Sequence, residues 1–237
     1  MNLHVAVISA RRPDAPRRLA DHLAGLPTAT WYVATGDTDG YTAAGLPPDS
    51  LVEAGPLCRA RNAALDAAGD RWCLQLSDDL RKVGFLADRA GKPGIVPAQL
   101  AEVVDQLTDV MRSMPAAHLG GLAPTFNAFY AKHRVAPRGF IVGDLMLIRP
   151  TPLRFDEGLS LKEDYDFTCQ HLAAYGQVAR ADWLLADFVH RSNPGGAVSY
   201  RTPAAEQEAI GRLRAKWPAA IRPNPRRPNE VLLRWPT

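Results

Sequence analysis

The chain has 237 residues, 46% of them hydrophobic, with a formal net charge of +3 and a pI near 8.9. That length can bury one substantial core, and so mild a basic balance is compatible with nucleic acid without arguing for it. The three cysteines, Cys58, Cys73 and Cys169, are widely spaced with no CxxC pair, which excludes a disulfide framework or zinc motif and suits a reducing cytoplasm.

The N-terminal MNLHVAVISARRP has no basic lead and no small-residue cleavage site. No apolar run approaches the roughly 20 residues that cross a bilayer, so a cytoplasmic protein without a membrane partner is expected. Leu3 to Ser9 is a continuous apolar run, the pattern of a strand buried on both faces. Pro13 and Pro16 break it, and Arg17 to Leu26 reads as a helix ended near Gly25. Thr30 to Thr35 is a second strand closed by GDTDG. Leu57 to Ala68 is helical, Arg71 to Leu76 is a third strand, and Ser77-Asp78-Asp79 falls at its end. This alternation predicts a mostly parallel central sheet with flanking helices, whose ligands lie at the carboxyl ends of the strands.

Gly84 to Pro97, punctuated by Gly and Pro, reads as a loop, and Pro97 to Met114 as an amphipathic helix. A strand over Phe140 to Arg149, a helix over Leu161 to Tyr175 and a short strand over Trp183 to His190 follow. The loop RSNPGGAVSYR, a helix near Ala204 to Trp217 and a Pro/Arg-rich tail complete the order. Composition shifts only near Tyr200, so the expected organisation is one catalytic domain over 1–200 with a basic extension, 201–237, packed on it.

Four constellations could carry chemistry. Ser77-Asp78-Asp79 offers carboxylate oxygen to a hard divalent cation, such as one neutralising a pyrophosphate leaving group, although Asp also favours turns and helix N-caps. Arg59 and Asn62 share a helix face while Arg61 points elsewhere; an Arg there suits phosphate or base, or simply a solvated polar face. Glu163 and Asp164, with Asp166 beyond, could supply the base that takes an acceptor proton, or merely complement a helix dipole. His190 could complete the coordination of Mn²⁺, and Gly195-Gly196 permits a loop that closes over phosphates, though a lone His is commonly structural. No GxGxxG follows the first strand, which argues against a Rossmann dehydrogenase.

In order, an ARN helix, an acidic strand end, an ED pair and a late His resemble the GT-A glycosyltransferases. Five strings, GPLCRARNAALDAA, CLQLSDDL, LRFDEGLSLKEDYDFTCQHL, FVHRSNPGGAVSYRT and KWPAAIRPNPRRPNEVLLRW, more narrowly resemble the TET-associated glycosyltransferases of phages. That family is related to the base J glucosyltransferase and is associated with dioxygenases that hydroxylate methylated pyrimidines. The resemblance runs from about Val5 to Trp235 and is weakest over Arg81 to Leu122. It implies a GT-A fold and transfer of a sugar from a UDP-sugar to DNA carrying 5-hydroxymethylcytosine or 5-hydroxymethyluracil. Further implications are functional association with a TET-like dioxygenase and a phage protein working in the bacterial cytoplasm.

Carried over by residue, Asp79 and His190 would hold Mn²⁺ or Mg²⁺, and Asp78 or Ser77 would meet the ribose. Asp164 would be the base of an inverting transfer with Glu163 beside it, and Arg59, Arg61 and Asn62 would line the nucleotide site. The motif is SDD rather than DxD, which leaves the division between Asp78 and Asp79 open. A DNA acceptor calls for phosphate contacts, and Arg212, Arg214, Lys216, Arg222, Arg226 and Arg227 cluster in the tail with Trp217 and Trp235. Lys216, Arg222, Arg226 and Arg227 are the expected DNA contacts; a solvated basic surface over two core tryptophans is the plainer reading. Two other functions compete: the same enzyme with a non-DNA acceptor, and a catalytically silent DNA-binding shell.

Overall fold

The computed structural model describes residues 2–89, 91–189 and 201–236. β1 (Leu3–Ser9) is buried along its whole length, as its apolar run requires, and α1 (Ala15–Leu23) follows. Pro16 starts this helix instead of preceding it, since a first-turn proline loses no helical hydrogen bond. β2 (Ala29–Val33), α2 (Thr38–Ala43), a 3₁₀ turn at Pro48–Ser50 and β3 (Leu51–Glu53) come next. α3 (Leu57–Ala68) then leads through Gly69 into β4 (Trp72–Ser77).

The stretch expected as a loop is instead an antiparallel hairpin of β5 (Leu80–Arg89) and β6 (Lys92–Pro97). A Cβ on Gly84 would lie 2.6 Å from the Val96 carbonyl oxygen, so that glycine serves the close approach of the paired strands. Pro93 and Pro97 are tolerated because β6 is an edge strand. α4 (Leu100–Ser113) is closed at its start by a capping box of Gln99 and Glu102.

β7 (Leu119–Leu122) and β8 (Val135–Ala136) precede β9 (Leu145–Ile148). The expected strand over Phe140 to Arg149 is thus confined to its second half. Around Gly143 the backbone groups serve side chains instead of a ladder: the Gly143 N–H donates to Asp164 at 3.1 Å and its carbonyl accepts from Arg61 at 2.8 Å. α5 (Glu163–Tyr175), β10 (Ala179–Ala181), β11 (Leu184–Phe188), α6 (Pro203–Lys216), β12 (Ile221–Pro223) and β13 (Val231–Leu233) finish the described chain.

The main sheet has the order β3-β2-β1-β4-β9-β7-β10-β8. β3, β2, β1 and β4 are mutually parallel, and β9 runs against both β4 and β7. Alternation along β1 divides the core. Leu3, Val5 and Val7 pack with Leu19 of α1 and with α4, whereas Ala6 and Ile8 pack with α3 and Phe167 of α5. A third cluster joins Cys169 of α5 to Leu213 of α6 and to Ile221 and Val231 of the C-terminal hairpin. Among the described residues no helix is long and apolar enough to cross a membrane.

Candidate functional site

The carboxyl ends of the parallel strands converge on Asp78. Its side chain is 1% exposed and turns inward, one carboxylate oxygen accepting from the Ser9 hydroxyl and the other from the Arg12 guanidinium. Ser9 in turn bonds the Tyr41 hydroxyl, which also accepts from the Arg12 backbone N–H at 3.2 Å. Arg12 reaches Asp79 as well, at 2.8 Å. Burial first, and then the neighbouring Asp79 charge, pushes the Asp78 carboxyl up to about 6 against the opposing pull of Arg12 and Ser9. Asp79 keeps 14% of its side chain exposed, and its carbonyl accepts from Val189 at the end of β11 at 2.9 Å.

Neighbouring strand ends close the same region. The Arg11 N–H donates to Asp37 at 2.6 Å and the Gly36 N–H to Glu53 at 3.1 Å. Arg11, Gly36 and Gly55 all hold left-handed backbone there, a conformation that lets the chain turn sharply after each strand.

The second acidic cluster opens α5. Lys162 precedes it in left-handed conformation (φ 65°), with its ammonium 2.5 Å from Glu206 of α6. Glu163 is buried and pairs with Arg61 at 3.3 Å. Arg61 also donates to Gln75 at 3.1 Å, and its guanidinium lies 5.2 Å from the Phe155 ring centre. Asp164 is half-buried and accepts from the Gly143 N–H. Burial and the adjacent Glu163 charge raise its carboxyl well above the ordinary range. The two acidic clusters are linked through one dipeptide, because the next carbonyl, that of Asp144, accepts from the Ser77 N–H at 2.8 Å.

The expected nucleotide-lining residues divide as their helical phases require. Arg61 turns into the protein and is engaged by protein groups. Asn62 clamps Phe155 through both its amide atoms, at 3.0 and 2.8 Å, and reaches Glu157 at 3.3 Å. Arg59 is two-thirds exposed, 3.5 Å from Glu157. His190, Gly195 and Gly196 lie outside the described residues.

In the tail, Lys216 bridges Asp156 and Asp166, each at 2.9 Å. Arg222 caps the carbonyls of Pro218 and Ala219, Arg227 pairs with Glu230 at 3.3 Å, and Arg226 is exposed. Trp217 donates to Asp166 at 2.7 Å, and Trp217 and Trp235 both pack on the third core cluster. Lys216 and Trp217 therefore anchor the extension to α5.

Sequence reasoning passed over Arg12, Ser9, Tyr41, Gly143 and Asp144. Arg12 carried a usable signal, since it lies three residues beyond the carboxyl end of a buried parallel strand. Tyr41 and Gly143 reach the site only through long-range contacts.

Because Arg61 is 5% exposed, removing it strands a buried carboxylate. Arg61→Met is expected to cost about 3–5 kcal/mol of unfolding free energy in urea titrations followed by tryptophan fluorescence. Adding Glu163→Met should restore most of it; no recovery would mean that the pair is not the source of the loss.

No protein-family model and no curated protein matches the chain. Among solved structures it is similar to S. aureus TarS 1-349, determined in complex with UDP, with a TM-score of 0.53 and 12% identity. The match covers 91% of this chain and 65% of that one, so the chain spans somewhat less than two thirds of the TarS structure's length. At such identity the likeness is one of fold. That fold, a mostly parallel sheet with helices on both faces and an acidic pair at the end of β4, is of GT-A type.

Proposed function

We propose that the chain transfers a sugar from a UDP-sugar to the hydroxymethyl group of 5-hydroxymethylcytosine or 5-hydroxymethyluracil in DNA, with inversion and with help from a divalent metal. One observation supports the transfer reading: Gly143-Asp144 links the end of β4 to Asp164, which would bring the donor-binding and proton-accepting groups onto neighbouring backbone. The five sequence strings carry the acceptor. The catalytic unit spans 1–200 and the remainder buttresses it through α6.

A divalent ion fits this donor set at one point. Asp78 is occupied on both oxygens, whereas Asp79 presents a partly exposed carboxylate that an ion could take from Arg12. Among the described residues no group of three or more His, Cys, Asp or Glu could hold a metal by itself, so donor diphosphate and His190 would complete the shell. When bound, the ion would neutralise charge developing on the departing UDP. Ser77 would position the ribose, Asp78 being turned inward onto Ser9 and Arg12 and acting only through them, and Arg59, Arg61 and Asn62 would shape the nucleotide side, with Arg61 acting through Glu163 and Gln75. Gly195-Gly196 would let the following loop approach the phosphates. Asp164 would accept the proton of the attacking hydroxyl. The inward-facing Asp78 supports giving the metal to Asp79. A phage origin, a cytoplasmic site of action and association with a TET-like dioxygenase follow from the same sequence resemblance.

The test is a panel of UDP-sugars with Mn²⁺, offered with and without oligonucleotides bearing either modified base. UDP release and a sugar-mass shift in digested nucleosides are the expected results. Absence of UDP release from every donor would favour the silent shell, and release coupled only to non-nucleic acceptors would remove DNA.

A further inference from the structure

We infer that the nucleic-acid strand is gripped by the loop before β8 and the groove beside it, rather than by the basic side chains of the C-terminal tail. The inference rests on the DNA-acceptor reading above and names the surface that reading needs. A groove of about 980 Å³ lies between β8, β10 and the C-terminal hairpin. Its wall includes the stacked rings of Phe140 and Tyr165, with centres 3.7 Å apart and planes 10° from parallel. Val142 and Tyr165 place one end of the groove next to Asp164 and Gly143, the proposed base and the N–H that donates to it. A smaller cavity of about 170 Å³ shares Val142 and Pro124 and is lined by Asp144, whose carbonyl accepts from the Ser77 N–H at the end of β4.

The loop leading into this groove has an unusual surface. Phe129 and Tyr130 are 76% and 67% exposed, the two exposed large hydrophobic side chains among the described residues. Their rings meet edge to face at 5.2 Å. Lys132, His133, Arg134 and Arg138 follow, all exposed, and no Asp or Glu occurs anywhere from 110 to 143. Arg134 and Arg138 also line the groove. Exposed aromatic faces interleaved with cations match a strand whose bases stack and whose phosphates need charge. Cations on both surfaces have protein partners: Arg134 pairs with Asp182 at 2.8 Å and Arg138 reaches the Pro236 carbonyl at 3.5 Å, while in the tail Lys216 and Arg227 pair with carboxylates and Arg222 with backbone carbonyls. The tail is the poorer candidate because its two tryptophans pack on the core and offer no exposed aromatic face like that of Phe129 and Tyr130.

Fluorescence anisotropy with an unmodified labelled oligonucleotide tests this without requiring transfer. Phe129→Ala with Tyr130→Ala should weaken binding about 10-fold, the loss of one stacked base. Lys132→Ala with Arg138→Ala should flatten the log–log salt dependence by about 1.4 units for a single strand, two phosphate contacts' worth. Arg226→Ala with Arg227→Ala should change either quantity far less, and thermal melting controls for folding. Wild-type binding by both loop variants, losses confined to the tail variant, or no oligonucleotide binding by the unaltered chain would each overturn the assignment. A protein that binds through this face yet releases no UDP would overturn the transfer reading alone.

Discussion

Asp164→Asn is expected to lower kcat by about 10²- to 10⁴-fold, the usual contribution of a positioned general base. The substitution keeps the side chain's shape and one acceptor oxygen for the Gly143 N–H, and it removes the capacity to take a proton together with the second acceptor, which now meets the Tyr165 N–H at 2.9 Å. Affinities for donor and acceptor should therefore stay near wild type, as for an interaction realised in the transition state. The pH profile supplies an independent sign. Burial, then Glu163, raises the Asp164 carboxyl, so the basic form gains population only as pH climbs above the ordinary carboxylate range near about 4. Wild-type kcat should rise across that interval, and residual Asp164→Asn turnover should not. Normal turnover in Asp164→Asn with a dead Glu163→Gln would move the base to Glu163, whose oxygen is now held by Arg61. Normal turnover in both would leave the cluster as a helix start that complements its dipole.

Asp79→Ala should abolish detectable transfer and remove the Mn²⁺-dependent part of UDP affinity. That loss should be no smaller than the roughly 10- to 100-fold that deletion of an outer-shell metal partner costs. Calorimetric titration of UDP with and without Mn²⁺ gives the answer directly. Full Mn²⁺-dependent affinity in Asp79→Ala would end the assignment. Wild-type turnover that persists in excess EDTA would instead give the positive charge to Arg12, which already touches both carboxylates.

Where local pattern and tertiary environment agree, the sequence was readable to the residue. β1 and α3 fall within the bounds that an unbroken apolar run and an ARN-centred helix suggest, and the acidic pair stands at its strand end as the parallel alternation requires. The hairpin of β5 and β6 was illegible because its glycine and prolines answer to a partner strand, not to a turn. β7, with its Leu-Gly-Gly-Leu, carries no strand signature either. Its glycines are there because Met111 of α4 and Ile141 press on the two faces. At the site, residue types pointed to Asp78, Asp79 and Asp164, but the partners that orient them come from afar: Tyr41 acts across the sheet on Ser9, and Gly143 on Asp164. Such contacts leave no periodicity to read.

The three buried cysteines give the molecule internal reporters of its own opening. Burial raises each thiol above its usual range, so none offers appreciable thiolate to an alkylating reagent while its surroundings stay closed. They also occupy different structural neighbourhoods. Cys73 lies in the central strand β4, Cys58 faces the Leu159 carbonyl where α3 meets the segment before α5, and Cys169 is sealed beneath α6 and the C-terminal hairpin. The order in which these sulfurs become reactive therefore distinguishes peeling of the C-terminal layer from opening of the sheet, with no label or mutation introduced.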